Sequence, residues 1–208
     1  MTPDDVADES PFVTIWEAPR ATIRRIVASD PRRHVNLLFF GGGIVAVLNA
    51  LRSHAPAVDV PAMLVLGACV GVGLASIPFS HLGAWYMRWI GGLLGGTASR
   101  REVAAAFAWA SVPSVLGGLV LWVGQLALFG TELFRPDRPT IDAASPLLLM
   151  TMRLASILLG MWAATASMLC FAEVNRFSVL RSLGAWLLSI VVIAAGLALP
   201  VVAFLLVR

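Results

Sequence analysis

Glu173-Val174-Asn175-Arg176-Phe177-Ser178, with Arg181 just beyond, is a dense polar run in an otherwise apolar sequence. A carboxylate at Glu173 could act as a general acid or base, but dividing those roles needs a second carboxylate, and none lies close by in sequence. The residue types fit a structural ion pair better, with Arg88 or Arg100 as the expected partner of Glu173. His81, which follows Ser80, is the other candidate for chemistry. No second His or Cys stands at ligand spacing from it, and neither H-E-x-x-H nor C-x-x-C occurs, so no metal site is expected. A hydrogen-bonded histidine is the better reading. Without G-x-S-x-G or G-x-x-x-x-G-K-[ST], neither a hydrolase elbow nor a nucleotide loop has support. The expectation is therefore a protein that is not an enzyme and carries no cofactor.

The second cluster is basic. Arg20, Arg24, Arg25, Arg32 and Arg33 fall within twenty residues, with Trp16 just upstream. Pro19 suits a first helical position, and Asp30-Pro31 suits a helix end. Ile23, Ile26 and Val27 share one helical face. That pattern predicts a short amphipathic helix at the membrane interface, its arginines among anionic headgroups or docking a cytoplasmic partner.

These groups must be positioned by long apolar elements. Of 208 residues, 59% are hydrophobic and only 13% charged, with a mean hydropathy of +0.85. A soluble domain carries charges at about 25% of positions, so a soluble globule is excluded. Five apolar stretches, about 35–51, 61–84, 104–129, 146–172 and 183–207, approach or exceed the length a helix needs to cross the hydrocarbon core. Alternating polarity of the barrel type is absent. The fold expected is an all-α integral membrane protein, a five-helix transmembrane bundle preceded by the interfacial helix. Residues 1–11 read as a disordered acidic tail, 12–34 as the basic cytoplasmic segment and 35–208 as the membrane domain. Sustained hydrophobicity starts only near Val35, an order that does not suit a cleavable signal peptide.

Within the spans, Gly67-x-x-x-Gly71 and Gly160-x-x-x-Ala164 offer small faces for close helix approach. Packing within the monomer is the expectation, and a homodimer or another membrane protein is the alternative. Gln125 and Asn49 could bond between helices. Pro78 and Pro113 should disturb the second and third spans. Ser99 and Glu102 read as a capping box opening the third. Trp85 to Ile90 looks like a headgroup-level segment. Arg153 lies about two turns inside the fourth span, within reach of Glu132, Asp137 or Asp142. Cys69 and Cys170 should lie about 21 Å apart in depth, too far for a disulfide.

All fifteen basic residues are Arg. Ten of them, at 20, 24, 25, 32, 33, 88, 100, 101, 176 and 181, flank one side of the spans, against Arg52, Arg135, Arg138 and Arg208 on the other. This bias places the amino terminus in the cytoplasm, and five spans then place the carboxyl terminus outside, in a bacterial inner membrane. The net charge of +3 is absorbed by that topology, so nucleic acid is not an expected partner.

Trp16, Pro19-x-x-Thr22-x-Arg24-x-Ile26 and Asp30-Pro31, the glycine-rich run at 91–96, Ala108-Trp109-Ala110-Ser111-Val112-Pro113, and Phe177-Ser178 with Arg181 together resemble the Yip domain family, the Ypt/Rab-interacting five-span membrane proteins, and its small prokaryotic members in particular. The resemblance covers about residues 12–207. It implies five helices, a cytoplasmic amino terminus and, in eukaryotic relatives, vesicle traffic through small GTPases. The chain lacks the Asp-Leu-x-Gly-Pro sequence and the Gly-Tyr motif of those relatives; its one tyrosine, Tyr86, follows Trp85. Small-GTPase binding therefore carries over to no residue here. The expected function is a non-enzymatic membrane protein that organises the bilayer or recruits partners. The alternative is a membrane subunit of a transport complex energised by another polypeptide.

Overall fold

In hydrocarbon an apolar run must bond its own backbone, and a helix does so within one segment. The computed structural model describes residues 10–53 and 59–206, and all regular structure among them is helical. The helices are α1 (Pro11–Glu17), α2 (Pro19–Ser29), α3 (Val35–Ser53), α4 (Ala62–Leu93), α5 (Arg100–Ala110), α6 (Val112–Phe129), α7 (Pro139–Asp142), α8 (Pro146–Val174) and α9 (Val179–Leu206), with a 3-10 turn at Gly130–Phe134. Four stretches are long and apolar enough to cross a membrane: Ala62–Leu93, Arg100–Phe134, Pro146–Val174 and Val179–Ala198. A shorter apolar stretch, Val35–Leu51, lies in α3. The expected acidic tail lies outside the described residues up to residue 9, as do His54 and Arg208.

Outward faces of these helices are studded with exposed Leu, Val, Ile, Met and Phe, among them Met63, Phe79, Val120, Val123, Met161 and Ile190. Water would reject such a surface; lipid accepts it. This is a multi-pass membrane protein.

Paired residues set the order of the bundle. Asn36 meets His81, and Gly43 meets Gly73, so α3 and α4 run antiparallel. Gly117 faces Leu159, and Phe107 stacks on Phe171, so α5–α6 and α8 are antiparallel as well. Ser182 Oγ donates to the Met168 carbonyl at 2.8 Å, fixing α9 against α8.

The elements differ from the sequence-based expectation at three places. First, α4 continues to Leu93, so Trp85 to Ile90 is helix, and the Tyr86 hydroxyl donates to the Ser189 carbonyl at 2.9 Å. Second, the third span is two helices that break at Ser111, and Pro113 sits in the first turn of α6, where its missing N–H costs nothing. Third, the close crossing of α3 and α4 is not made by Gly67 and Gly71. Both are exposed, and a Cβ on either would meet nothing within 4 Å; the same holds for Gly160, and Ala164 is exposed too. The crossing uses Gly43 and Gly73 instead: a Cβ on Gly43 would come within 2.8 Å of Gly73 Cα. Composition marks all these small residues alike, and only the rotation of each helix decides which ones face a neighbour.

Pro78 lies inside α4, Ser99 and Glu102 form the expected capping box, and Cys69 and Cys170 are both buried free thiols.

Candidate functional site at the arginine-rich end

The large hydrophobic core sits at one end of the bundle. Ile15, Ile23 and Ile26 from α1 and α2 are buried there with Val103, Trp109, Cys170 and Phe171. The apolar face expected in lipid is thus covered by the protein itself, each isoleucine contributing about 1.5–3 kcal/mol. Polar groups are satisfied in the same seam. Thr22 Oγ1 donates to Thr14 Oγ1 at 2.8 Å, and Arg25 donates from a terminal guanidinium nitrogen to Thr14 Oγ1 at 2.9 Å. The Cys170 thiol donates to the Pro19 carbonyl at 3.6 Å. Phe12 lies over Trp109 with centroids 4.8 Å apart, and the Trp109 indole donates to the Arg33 carbonyl at 3.1 Å.

Glu173 forms the expected kind of ion pair with different partners. Arg20 Nε donates to its Oε2 at 2.9 Å, and Arg24 Nε donates to its Oε1 at 2.7 Å. Arg88 and Arg100 form no ion pair with it and instead share a depression with Ser99 and Arg101. The sequence distance, about 150 residues, hid this pairing: it needs α2 folded back onto the end of α8. The expected docking set is thereby divided. Arg20 and Arg24 are held by Glu173, Arg25 by Thr14, and Trp16 is half-buried against the core.

Arg32 remains outward and joins a second group. A cavity of about 430 Å³ is lined by Arg32, Asn36, His81, Arg100 and Arg101 over a floor that includes Val35 and Ala104. His81 Nε2 and Asn36 Oδ1 are 2.8 Å apart, and the His81 ring stands edge-on to Phe39 at 5.4 Å. This is the hydrogen-bonded histidine expected from sequence, and its partner Asn36 was not foreseen. Arg88 lies beside the cavity in a shallower depression with Arg100 and Arg101. Among the described residues none of Arg32, Arg88, Arg100 and Arg101 forms an ion pair. Glu102 accepts from the Ser99 amide in the capping box and forms no ion pair with them. The arrangement is a cationic recess that can hold an anion.

Two helix ends support this face. After α4, Gly96 N–H closes on the Gly91 carbonyl and Gly95 N–H on that of Gly92, with Gly95 at φ +82°. After α8, Phe177 N–H closes on the Ala172 carbonyl and Arg176 N–H on that of Glu173, with Arg176 at φ +56°. The two caps meet, because Asn175 packs on Gly91 and Gly96.

The model of the Yip1 domain family matches residues 13–203 of the chain. The chain belongs to the Yip1 domain family. Comparison with curated proteins and with solved structures found no match. Several residues that carry the family resemblance in this Yip1 domain meet in one place. Pro19, Thr22, Ile26, Trp109 and Phe177 are all buried at the arginine-rich end, where α1 and α2 dock on α5 and α8.

Proposed function

We propose that this Yip1 domain protein is a non-enzymatic membrane protein that organises lipid or recruits a partner through its arginine-rich end. The single observation that carries this reading is the recess of Arg32, Arg100 and Arg101, with Arg88 beside it and, among the described residues, no carboxylate paired to any of the four. Fixed cations at a membrane boundary attract anionic lipid, at about 1 kcal/mol per Arg near the surface, or an acidic protein surface.

In this reading the bundle has five spans. At 19 residues α3 is about 28 Å long, close to the hydrocarbon thickness. It starts beside α5, where Val35 and Ala104 share the recess, and ends beside the turn after α6, where the Leu51 carbonyl accepts from Arg138 at 3.0 Å. That path supports a crossing alongside α5 and α6. The arginine bias then puts the recess and the amino terminus in the cytoplasm of a bacterial cell, and the carboxyl terminus outside.

The test is purification of the tagged full chain with its native lipids in nanodiscs, followed by mass spectrometry of what accompanies it. The expected result is enrichment of anionic lipid or one stoichiometric partner, lost in the Arg32→Gln/Arg101→Gln variant. Copurification of an ATPase at matched stoichiometry would instead favour a subunit of a transport complex. Recovery of the same neutral lipid with both proteins would sink the recess reading.

A further inference from the structure

At the opposite end of the bundle a second cavity, of about 300 Å³, lies between the end of α6, the start of α8 and the segment carrying the 3-10 turn and α7. Gln125 lines it. This residue is 2% exposed, and its side-chain carbonyl oxygen is buried with no donor. The interhelical bond expected of Gln125 is not made by this oxygen, a costly state for a buried carbonyl unless something supplies a proton.

Arg153 lines the same space. Among the described residues it forms no ion pair with Glu132, Asp137 or Asp142, its expected partners. Glu132 is spent elsewhere, accepting from the Thr140 amide and hydroxyl and from the Ile141 amide. A second guanidinium, Arg138, is fixed in the wall by donating to the carbonyls of Leu51, Leu133 and Arg135 at 3.0–3.2 Å. These bonds fix Arg138 as part of the wall. The rest of the wall is apolar, with Phe129, Leu149 and Met152, and no carboxylate among the described residues lines the cavity.

We propose that this cavity receives the headgroup of an anionic, hydroxyl-bearing phospholipid of the phosphatidylglycerol class. The phosphodiester meets Arg153, a headgroup hydroxyl donates to Gln125 Oε1, and the first part of the acyl region lies on Leu149 and Met152. A phosphodiester anion satisfies the Arg153 cation, and the hydroxyl satisfies the buried Gln125 oxygen. Glycerol phosphate carries the same polar chemistry without the tail, so the apolar wall distinguishes the lipid from the soluble anion. This assignment is independent of the arginine-rich recess at the other end.

The test is native mass spectrometry of the full chain in detergent, with phosphatidylglycerol, phosphatidylmethanol and phosphatidylcholine of identical acyl chains in competition, and with glycerol 1-phosphate as a separate competitor. Phosphatidylmethanol keeps the phosphodiester charge and lacks the hydroxyls. Wild type should retain phosphatidylglycerol over phosphatidylcholine, and Arg153→Gln should cut that preference about tenfold, as loss of one charge-assisted hydrogen bond does. Gln125→Met should erase the preference for phosphatidylglycerol over phosphatidylmethanol and keep the preference for charge. Leu149→Trp, which fills the cavity without altering charge, should lower retention of both anionic lipids and stands in if Gln125→Met unfolds. Equal phosphatidylglycerol retention by wild type, Arg153→Gln and Leu149→Trp would overturn the site. Equal binding of the two anionic lipids to wild type would overturn the role of Gln125. Displacement by glycerol 1-phosphate at concentrations comparable to the lipid would overturn the lipid as occupant.

Discussion

Glu173 and Arg24, 149 residues apart in the chain, meet with a carboxylate oxygen 2.6 Å from a terminal guanidinium nitrogen. With Arg20 on the other carboxylate oxygen, Glu173 clasps the amino-terminal helix pair to the end of α8. The arginine side chains are 45% and 69% exposed, so water screens much of the attraction. Glu173→Gln should therefore destabilise the docked helices by about 1 kcal/mol rather than unfold the bundle. Hydrogen exchange of the full chain in nanodiscs should show faster exchange over 11–29 and little change in α6. Unchanged exchange over 11–29 would mean that the buried isoleucines alone hold the pair.

Glycine size matters where backbones touch. Gly73→Leu should destabilise the bundle by about 1–3 kcal/mol, because the ring of Phe40 already occupies the space a Cβ would take. Gly71→Leu, two residues away on the opposite, exposed face, should leave thermal stability in detergent within about 0.5 kcal/mol of wild type. The reverse order would show that α3 and α4 cross elsewhere.

That contrast measures how much of the molecule was legible in its sequence. Lengths of apolar runs follow from hydrophobic burial in a bilayer, so α3, α8 and α9 fall close to where the runs lie. The capping box at Ser99 is local chemistry and was equally readable. Helix rotation is a property of the packed bundle, so Gly67 and Gly71 looked as good as Gly43 and Gly73. The same holds for partners distant in sequence. Glu173 was readable as an ion-pair acid, but the fold alone selects Arg20 and Arg24 over Arg88 and Arg100. Gln125 looked like an ordinary interhelical donor and acceptor; its unused oxygen emerges only once the cavity is built.

The left-handed residue after α8 offers a stability test with the opposite sign. Arg176 holds φ +56° with a side chain that disfavours it, whereas Gly95 fills the equivalent position after α4. Arg176→Gly should relieve about 1 kcal/mol of backbone strain, offset partly by added freedom in the unfolded chain. Gly95→Val should cost about 1–2 kcal/mol for the same reason. Melting of the two variants in the same detergent should shift in opposite directions.

The fifth span rests on α3, and three surface carboxylates test it. Asp30 precedes α3, Asp59 follows it, and Asp137 follows the turn after α6. All three are exposed, so cysteine at each should leave the fold intact. The two native thiols are buried and should react slowly with a membrane-impermeant maleimide. If α3 crosses, Asp59→Cys and Asp137→Cys label from one side of sealed vesicles and Asp30→Cys only from the other. Labelling of Asp30→Cys and Asp59→Cys from the same side would make α3 a re-entrant or surface helix and reduce the bundle to four spans. The backbone bond from Val60 N–H to the Phe134 carbonyl, 2.9 Å, favours the first result, because it joins the chain after α3 to the end of the Arg100–Phe134 stretch. With α3 crossing, the arginine count also becomes directional: Asp30→Cys should be the site shielded in right-side-out vesicles and exposed in inverted ones.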